Sequence, residues 1–330
     1  MDRRPIRQTE VTFGQEGFMA STLDLALQRA LAIRLNLQIS LSSLAMVEEW
    51  MDIHLDRWLE HIPMPPEMPD GCGVNYAAMI GSDLRRIAWS AWGDPRGFVP
   101  RMADYFKLCN IAKSDIAILD QVGATLEPKV AGSWIGVWGK KVTTGWHFMD
   151  PQPWRKIEPL FGTHEAKYQL KKFIEICGAT QIERFVQSIG ENVFTEVEVK
   201  LPGDDIAAQL AAASTGFAHF TGTGLDDAVR ARLAERSAGA LSFFVRIRSG
   251  KIARVAVSVP TSELAAVQPL CDAALVGFDA KMLKLVGALG SKVTSIEYGR
   301  AGEHAGVDVF VEPTEPTGKK NETPAPAAAN

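Results

Sequence analysis

Tyrosine is scarce in this chain of 330 residues, with four copies against eight tryptophans and fifteen phenylalanines. Cysteine is as sparse. Cys72, Cys109, Cys177 and Cys271 lie far apart with no CxxC pair, which excludes a disulfide scaffold and suits free thiols in a reducing compartment. Neither sign of charge dominates. Lys and Arg total 35, Asp and Glu 39, so a protein that coats nucleic acid is not expected. No long apolar run exists either. The longest uncharged helical stretch, residues 35–47, is too short to cross a bilayer, and residues 1–17 lack the apolar core of a signal peptide. A soluble, cytoplasmic protein that binds neither membrane nor nucleic acid is the expectation. GxSxG, HExxH and a strand-linked GxGxxG are all missing. Gly222-Thr223-Gly224 follows a helix-like segment, with no GKS or GKT after it, and reads as a loop. The six histidines form no metal-ligand spacing: His54 and His61 stand two helical turns apart, too far to share one ion.

What the chain does contain is a repeat. Five segments, 73–93, 132–149, 181–201, 241–260 and 292–313, each read as two strands around a tight turn carrying Gly, Ser or Asp. Segments 21–62, 98–120, 165–177, 204–237 and 262–289 carry helical periodicity, most with room for two helices. Ser262 is the expected N-cap of the last one and Gly290 its stop. Turn centres recur at roughly 50–60 residues, so the chain parses into five helix-helix-strand-strand units. Residues 1–20 then form an N-terminal extension, 21–312 a single domain, and the Pro/Ala-rich residues 313–330 a disordered tail.

Within the hairpins, alternate residues separate by chemistry. Phe243, Val245, Ile247, Val255, Val257 and Val259 oppose Phe244, Arg246, Arg248, Arg254, Ala256 and Ser258. Val307, Val309 and Val311 oppose Asp308, Phe310 and Glu312; Val193, Thr195, Val197 and Val199 oppose Phe194, Glu196, Glu198 and Lys200. One face needs a cover of helices, and the other is polar and aromatic. An open sheet with its polar face in solvent and a ten-stranded antiparallel barrel with a polar lumen both meet this pattern. The barrel alone removes the exposed edges of so long a sheet.

Five such units resemble the barrel fold of the soluble aromatic prenyltransferases, the ABBA or prenyltransferase-barrel family. Residues 249–255 (SGKIARV) are similar to a turn and strand of bacterial members whose arginine holds a prenyl diphosphate. Residues 298–304 (YGRAGEH), with Asp308, resemble the last hairpin of the aminocoumarin and phenazine type. The resemblance implies an α/β (α+β) fold, a closed ten-stranded antiparallel barrel of five ααββ repeats with helices outside. It also implies an enzyme of secondary metabolism that transfers a prenyl group from an allylic diphosphate to a small aromatic acceptor. In that chemistry cationic donors hold the departing pyrophosphate, aromatic faces surround the carbocation, and a carboxylate or water accepts the arene's proton.

Carried onto this chain, the resemblance assigns Arg254, Arg246, Arg248, Lys141 and Arg86 to the diphosphate, and Trp138, Phe194, Phe244 and Phe310 to the aromatic lining. Asp308 and His147 are the candidates for proton handling, with a purely structural role for His147 as the competing reading. Glu196 and Ser258 would stand on the acceptor side. No cofactor is implied and no metal ligand, magnesium being left open; the partners are the two small-molecule substrates, and the chain is a monomer or weak homodimer. Two features depart from the family. Gly306 and Val307 stand where a basic residue is usual, and Glu196 and Glu198 stand where lysine or arginine is expected. A barrel with such an altered diphosphate site could instead bind, cyclise or otherwise convert an aromatic or isoprenoid metabolite. Scarce tyrosine points the same way, because Tyr76, Tyr105, Tyr168 and Tyr298 are all that could shield a cation.

Overall fold

A computed structural model describes residues 74–81, 85–93, 131–138, 141–189, 194–236, 239–277 and 291–313, with isolated positions between 117 and 125. The strands before residue 141 are described by their backbone alone. The helices expected at 21–62 and 98–120, the N-terminal extension, the tail, Gly290, Cys72, Cys109, His54 and His61 lie outside the described residues.

All five expected hairpins form. They are β1 (Val74–Gly81) with β2 (Arg85–Gly93), β3 (Ala131–Trp138) with β4 (Lys141–Pro153), and β5 (Gln181–Ile189) with β6 (Thr195–Lys200). Next come β7 (Ser242–Arg248) with β8 (Lys251–Pro260), and β9 (Ser291–Ala301) with β10 (His304–Pro313). The fourth turns on Ser249 and Gly250, both with positive φ (49° and 73°), a two-residue geometry whose twist matches that of the flanking strands. The strands form a mixed α/β structure's antiparallel sheet, in the order β1-β10-β9-β8-β7-β6-β5-β4-β3-β2. Its first strand pairs with β2 and also with β10, where Ile80 faces Val309.

Between the hairpins run a short helix α1 (Trp154–Ile157), then α2 (His164–Cys177), α3 (Ile206–Thr221), α4 (Asp227–Arg236) and α5 (Val267–Ala274). Thr163 caps α2 by accepting the Ala166 N–H (3.1 Å), and Asp205 caps α3 by accepting that of Ala207 (2.9 Å). Left-handed Gly178 and Gly222 end them. The Gly222–Gly224 stretch is thus the loop between two helices, as its sequence suggests. Ser262 does not cap the next helix. Pro260 ends β8, the Thr261 hydroxyl takes the Glu263 N–H (3.1 Å), and a 3₁₀ turn, Leu264–Ala266, delays the start of α5 to Val267.

Among the described side chains of β5 to β10, alternate strand residues pack against these helices. Phe173 of α2 stacks on Phe243 of β7 (centroids 5.4 Å apart), Phe217 of α3 meets both Phe243 and Tyr298 at 5.7 Å, and Val245, Val255, Val257, Val307 and Val309 are wholly buried beside them. Gln209 of α3, also buried, donates to the Leu201 carbonyl (3.2 Å) and accepts the Leu241 N–H (2.9 Å), fastening the helix to the ends of β6 and β7. Gly216 permits the close approach of α3. A methyl there would lie 2.5 Å from the Phe243 ring, which its stack with Phe173 holds in place. Gly216→Ala is therefore expected to destabilise the fold by about 1–3 kcal/mol, despite alanine's better helix propensity, as a lowered urea midpoint at unchanged slope.

Candidate functional site

Residues of β5 to β10 that point away from the helices carry a different chemistry. Arg184 of β5 lies opposite Glu198 of β6, Glu196 of β6 opposite Arg246 of β7, and Arg246 in turn opposite Arg254 of β8. Ser258 of β8 faces Glu297 of β9, which faces Asp308 of β10. The period-two pattern of the sequence has set this face. A bulge between Arg246 and Ile247 keeps the two arginines side by side.

The charges are mutually satisfied. Arg184 reaches Glu198 at 2.7 Å and Glu196 at 3.4 Å, while Arg246 donates from Nη2 and Nε to the same Glu196 oxygen at 2.7 and 2.9 Å. Arg254 donates through Nη1 to Glu297 and through Nη2 to Asp308 at 2.5 Å. Two of the guanidiniums also lie over aromatic rings: Arg184 over Phe244 at 4.7 Å and Arg246 over Phe194 at 4.3 Å. Burial works against the positive charge of Arg184 and Arg254. Their carboxylates outweigh it, so both hold their protons more tightly than usual. Glu297 also holds its proton more tightly, above the ordinary carboxylate range, because burial, then Asp308 and Glu196, oppose its ionisation more than Arg254 and Arg184 favour it.

Gly299 makes room for this arrangement. A Cβ there would stand 2.6 Å from Arg254 Nη2, so the glycine of the YGRAGEH stretch leaves the space that the guanidinium fills.

Of the residues singled out from the sequence, Arg246, Arg254, Asp308, Glu196, Phe194, Phe244 and Ser258 come together on this face. Phe310 is half-buried two residues beyond Asp308. Arg248 is exposed at the end of β7, opposite Lys251 and next to the turn. The side chains of Arg86, Trp138, Lys141 and His147 lie outside the described residues; in the register Arg86 pairs with Met79, Trp138 with Lys141, and His147 with Arg184. Sequence reading missed Arg184 and Glu297. Both were signalled by alternation, one beside core Phe185 and the other between core Ile296 and Tyr298. Tyr298 itself belongs to the helix-side core, and Tyr168 is exposed on α2.

Among the described residues no group of three or more His, Cys, Asp or Glu is placed to hold a metal ion. Cys177 and Cys271 are free and buried, and burial pushes the Cys271 thiol up to about 12 and Cys177 further, which makes both poor nucleophiles. No described helix is long and apolar enough to cross a membrane.

No family model matches the chain. A curated PH domain-containing protein of Dictyostelium discoideum is 25% identical over 258 residues, which cover 74% of this chain and 56% of that protein; the chain thus spans little more than half its length. Solved structures resemble it more completely. PriB in its binary complex with product diphosphate superposes with a TM-score of 0.61 at 10% identity, over 89% of this chain and 99% of PriB. The 5-dimethylallyltryptophan synthase of Streptomyces coelicolor gives 0.61 at 8% identity, over 88% and 96%. AnaPT of Neosartorya fischeri gives 0.59 at 10%, over 85% and 91%. At these identities the likeness is one of fold.

Removing one cation tests the electrostatics of the face. Arg254→Met leaves Glu297 and Asp308 buried without their shared partner, and is expected to cost about 3–5 kcal/mol at neutral pH. In that variant the folded carboxylates bind protons more readily than the unfolded ones. The penalty is therefore full above the raised range in which the folded carboxylates titrate, shrinks as pH falls through that range, and is gone below the unfolded carboxylate range. Urea denaturation of both proteins at neutral and mildly acidic pH measures the effect.

Proposed function

We propose that the ten strands close into a barrel whose lumen is the polar face, and that this lumen transfers a prenyl group from an allylic diphosphate to a small aromatic acceptor. The pairing of β1 with both β2 and β10 supports closure. The observation that carries the activity is the set of three guanidiniums, Arg184, Arg246 and Arg254, gathered beside Phe194 and Phe244 on strands whose fold matches that of PriB bound to diphosphate.

In this reading Arg254 and Arg246 hold the diphosphate, with Arg86, Lys141 and Arg248 as further donors from the rim and neighbouring hairpins. Ionisation breaks the allylic C–O bond and leaves the electron pair on pyrophosphate, whose charge the guanidiniums stabilise. The rings of Phe194, Phe244, Phe310 and Trp138 face the carbocation in place of tyrosines. The arene attacks, a C–C bond forms, and Asp308 or His147 removes the proton that restores aromaticity. Glu196 and Ser258 orient the acceptor. No resident metal is proposed, because each described carboxylate of the face is held by a guanidinium; magnesium would arrive with the diphosphate. The acceptor type of the aminocoumarin and phenazine enzymes fits the YGRAGEH hairpin best. A cytoplasmic monomer or weak homodimer, with residues 21–312 as one domain between an N-terminal extension and a disordered tail, completes the reading.

One observation favours a second reading. Every described arginine of the face is already ion-paired, and two of them cover the rings that a carbocation would need. A barrel that binds or converts an aromatic or isoprenoid metabolite without diphosphate chemistry would need no free guanidinium.

Incubation with dimethylallyl or geranyl diphosphate and phenolic, indolic or phenazine acceptors separates the two. Transfer predicts acceptor-dependent pyrophosphate release that falls about 10²–10³-fold in Arg254→Ala and Arg246→Ala. No release with any donor, or release indifferent to both substitutions, would sink the transferase reading.

A further inference from the structure

The charge balance of the face sets a condition on any anion that binds there. Three guanidiniums (Arg184, Arg246, Arg254) meet four carboxylates (Glu196, Glu198, Glu297, Asp308), leaving one formal negative charge in excess among the described groups. A diphosphate adds at least two more. Arg254 commits one N–H to Glu297 and one to Asp308, so an anion drawn to this guanidinium, by these or by its remaining N–H groups, comes to lie beside two carboxylates.

Two escapes are closed. Glu297 is 2% exposed between β8 and β10, and Asp308 is 7% exposed, so neither can swing out to water. When the diphosphate comes without magnesium, no cluster among the described residues is placed to supply a divalent ion in its stead. Neutralisation in place remains. Resting on the diphosphate reading given above, we infer that diphosphate binding at Arg254 is coupled to the uptake of one proton by the Glu297–Asp308 carboxylate pair.

The step balances simply. A solvent proton adds to a carboxylate oxygen of the pair, the guanidinium N–H that oxygen accepted is freed, and that N–H donates to a phosphate oxygen. Neighbouring groups favour Glu297 as the first to take the proton. Arg254 and Ser258 face it from β8, Asp308 from β10, and Glu196 of β6 and Arg184 of β5 act on it across the face. Burial and the two carboxylates outweigh the two cations, and it lies above the ordinary carboxylate range before any ligand arrives. Glu297 thus serves as a specificity-determining residue: it admits diphosphate in proportion to proton supply.

Calorimetric titration of the full chain with inorganic pyrophosphate tests this. Wild-type affinity should rise as pH falls, by up to about tenfold per pH unit beyond the ligand's own titration, which is common to wild type and variants. Binding heats in two buffers of different ionisation enthalpy should differ by about one proton's worth of buffer ionisation. Glu297→Gln is neutral in advance, so at neutral pH it should bind pyrophosphate about tenfold or more tightly than wild type, with a flatter pH profile; Asp308→Asn should shift the same way. Circular dichroism establishes that each variant folds, and the proton count on the wild type stands even if neither does. Wild-type binding with no proton uptake, or weaker binding in both folded variants, overturns the coupling while leaving the diphosphate reading intact. No pyrophosphate binding by any form at any pH overturns the reading beneath it.

Discussion

The guanidinium of Arg254, shared between Glu297 and Asp308, ties β8 to β9 and β10 on the face opposite the described helices. A buried arginine of this kind adds little net stability beyond an apolar core, yet the guanidinium cannot be removed alone without stranding both carboxylates. Its planar fork accepts the two carboxylates from different strands, so it fixes their relative register as well as their distance. The space it needs exists because residue 299 has no side chain. Arg184 and Arg246 repeat the device around Glu196 and Glu198, and the two networks meet where Arg246 and Arg254 stand opposite each other. The polar face is thus one connected electrostatic unit that spans six strands.

The aromatic residues divide along the same line. Phe173, Phe217, Phe243 and Tyr298 pack between helices and strands, holding the strand faces in their orientation. Phe194 and Phe244 lie on the opposite side, beneath guanidiniums rather than beneath other rings. The two tyrosines with described side chains, Tyr298 and Tyr168, are kept away from the charged face, one in the core and one on the surface. Any cation developing there would meet phenylalanine faces only after an arginine moved aside. Under the proposed function, an anion bound there would draw guanidiniums away from carboxylates and rings together, a physical reason for such movement. Leaving-group capture and exposure of the shielding rings would then be a single event.

Strand periodicity carried most of the architecture. The Val/Ile alternation of β7 and β8 marks their faces without reference to any other segment, and the Ser249–Gly250 turn could be placed from its residues alone. Ser262 misled because a capping residue directly after a strand can serve a local turn instead, as Thr261 does here. Arg246, Arg254 and Asp308 were legible as members of one face, but their engagement was not. An ion pair such as Arg254–Asp308 joins residues 54 apart in sequence, and only the packing of three strands reveals it. Glu196 illustrates the same limit. Its position two residues from Phe194 was visible in the sequence, whereas its role as the clamp on Arg246 depends on which strand lies next door.

Under the proposed function this face, closed by its own carboxylates at rest, opens to receive a diphosphate. A crystal structure with dimethylallyl thiolodiphosphate bound tests that directly. Phosphate oxygens are expected within hydrogen-bond distance of the Arg254 and Arg246 guanidiniums, with Arg254 released from Glu297 or Asp308. An analogue seated elsewhere in the molecule, with Arg254 still holding both carboxylates, would contradict it.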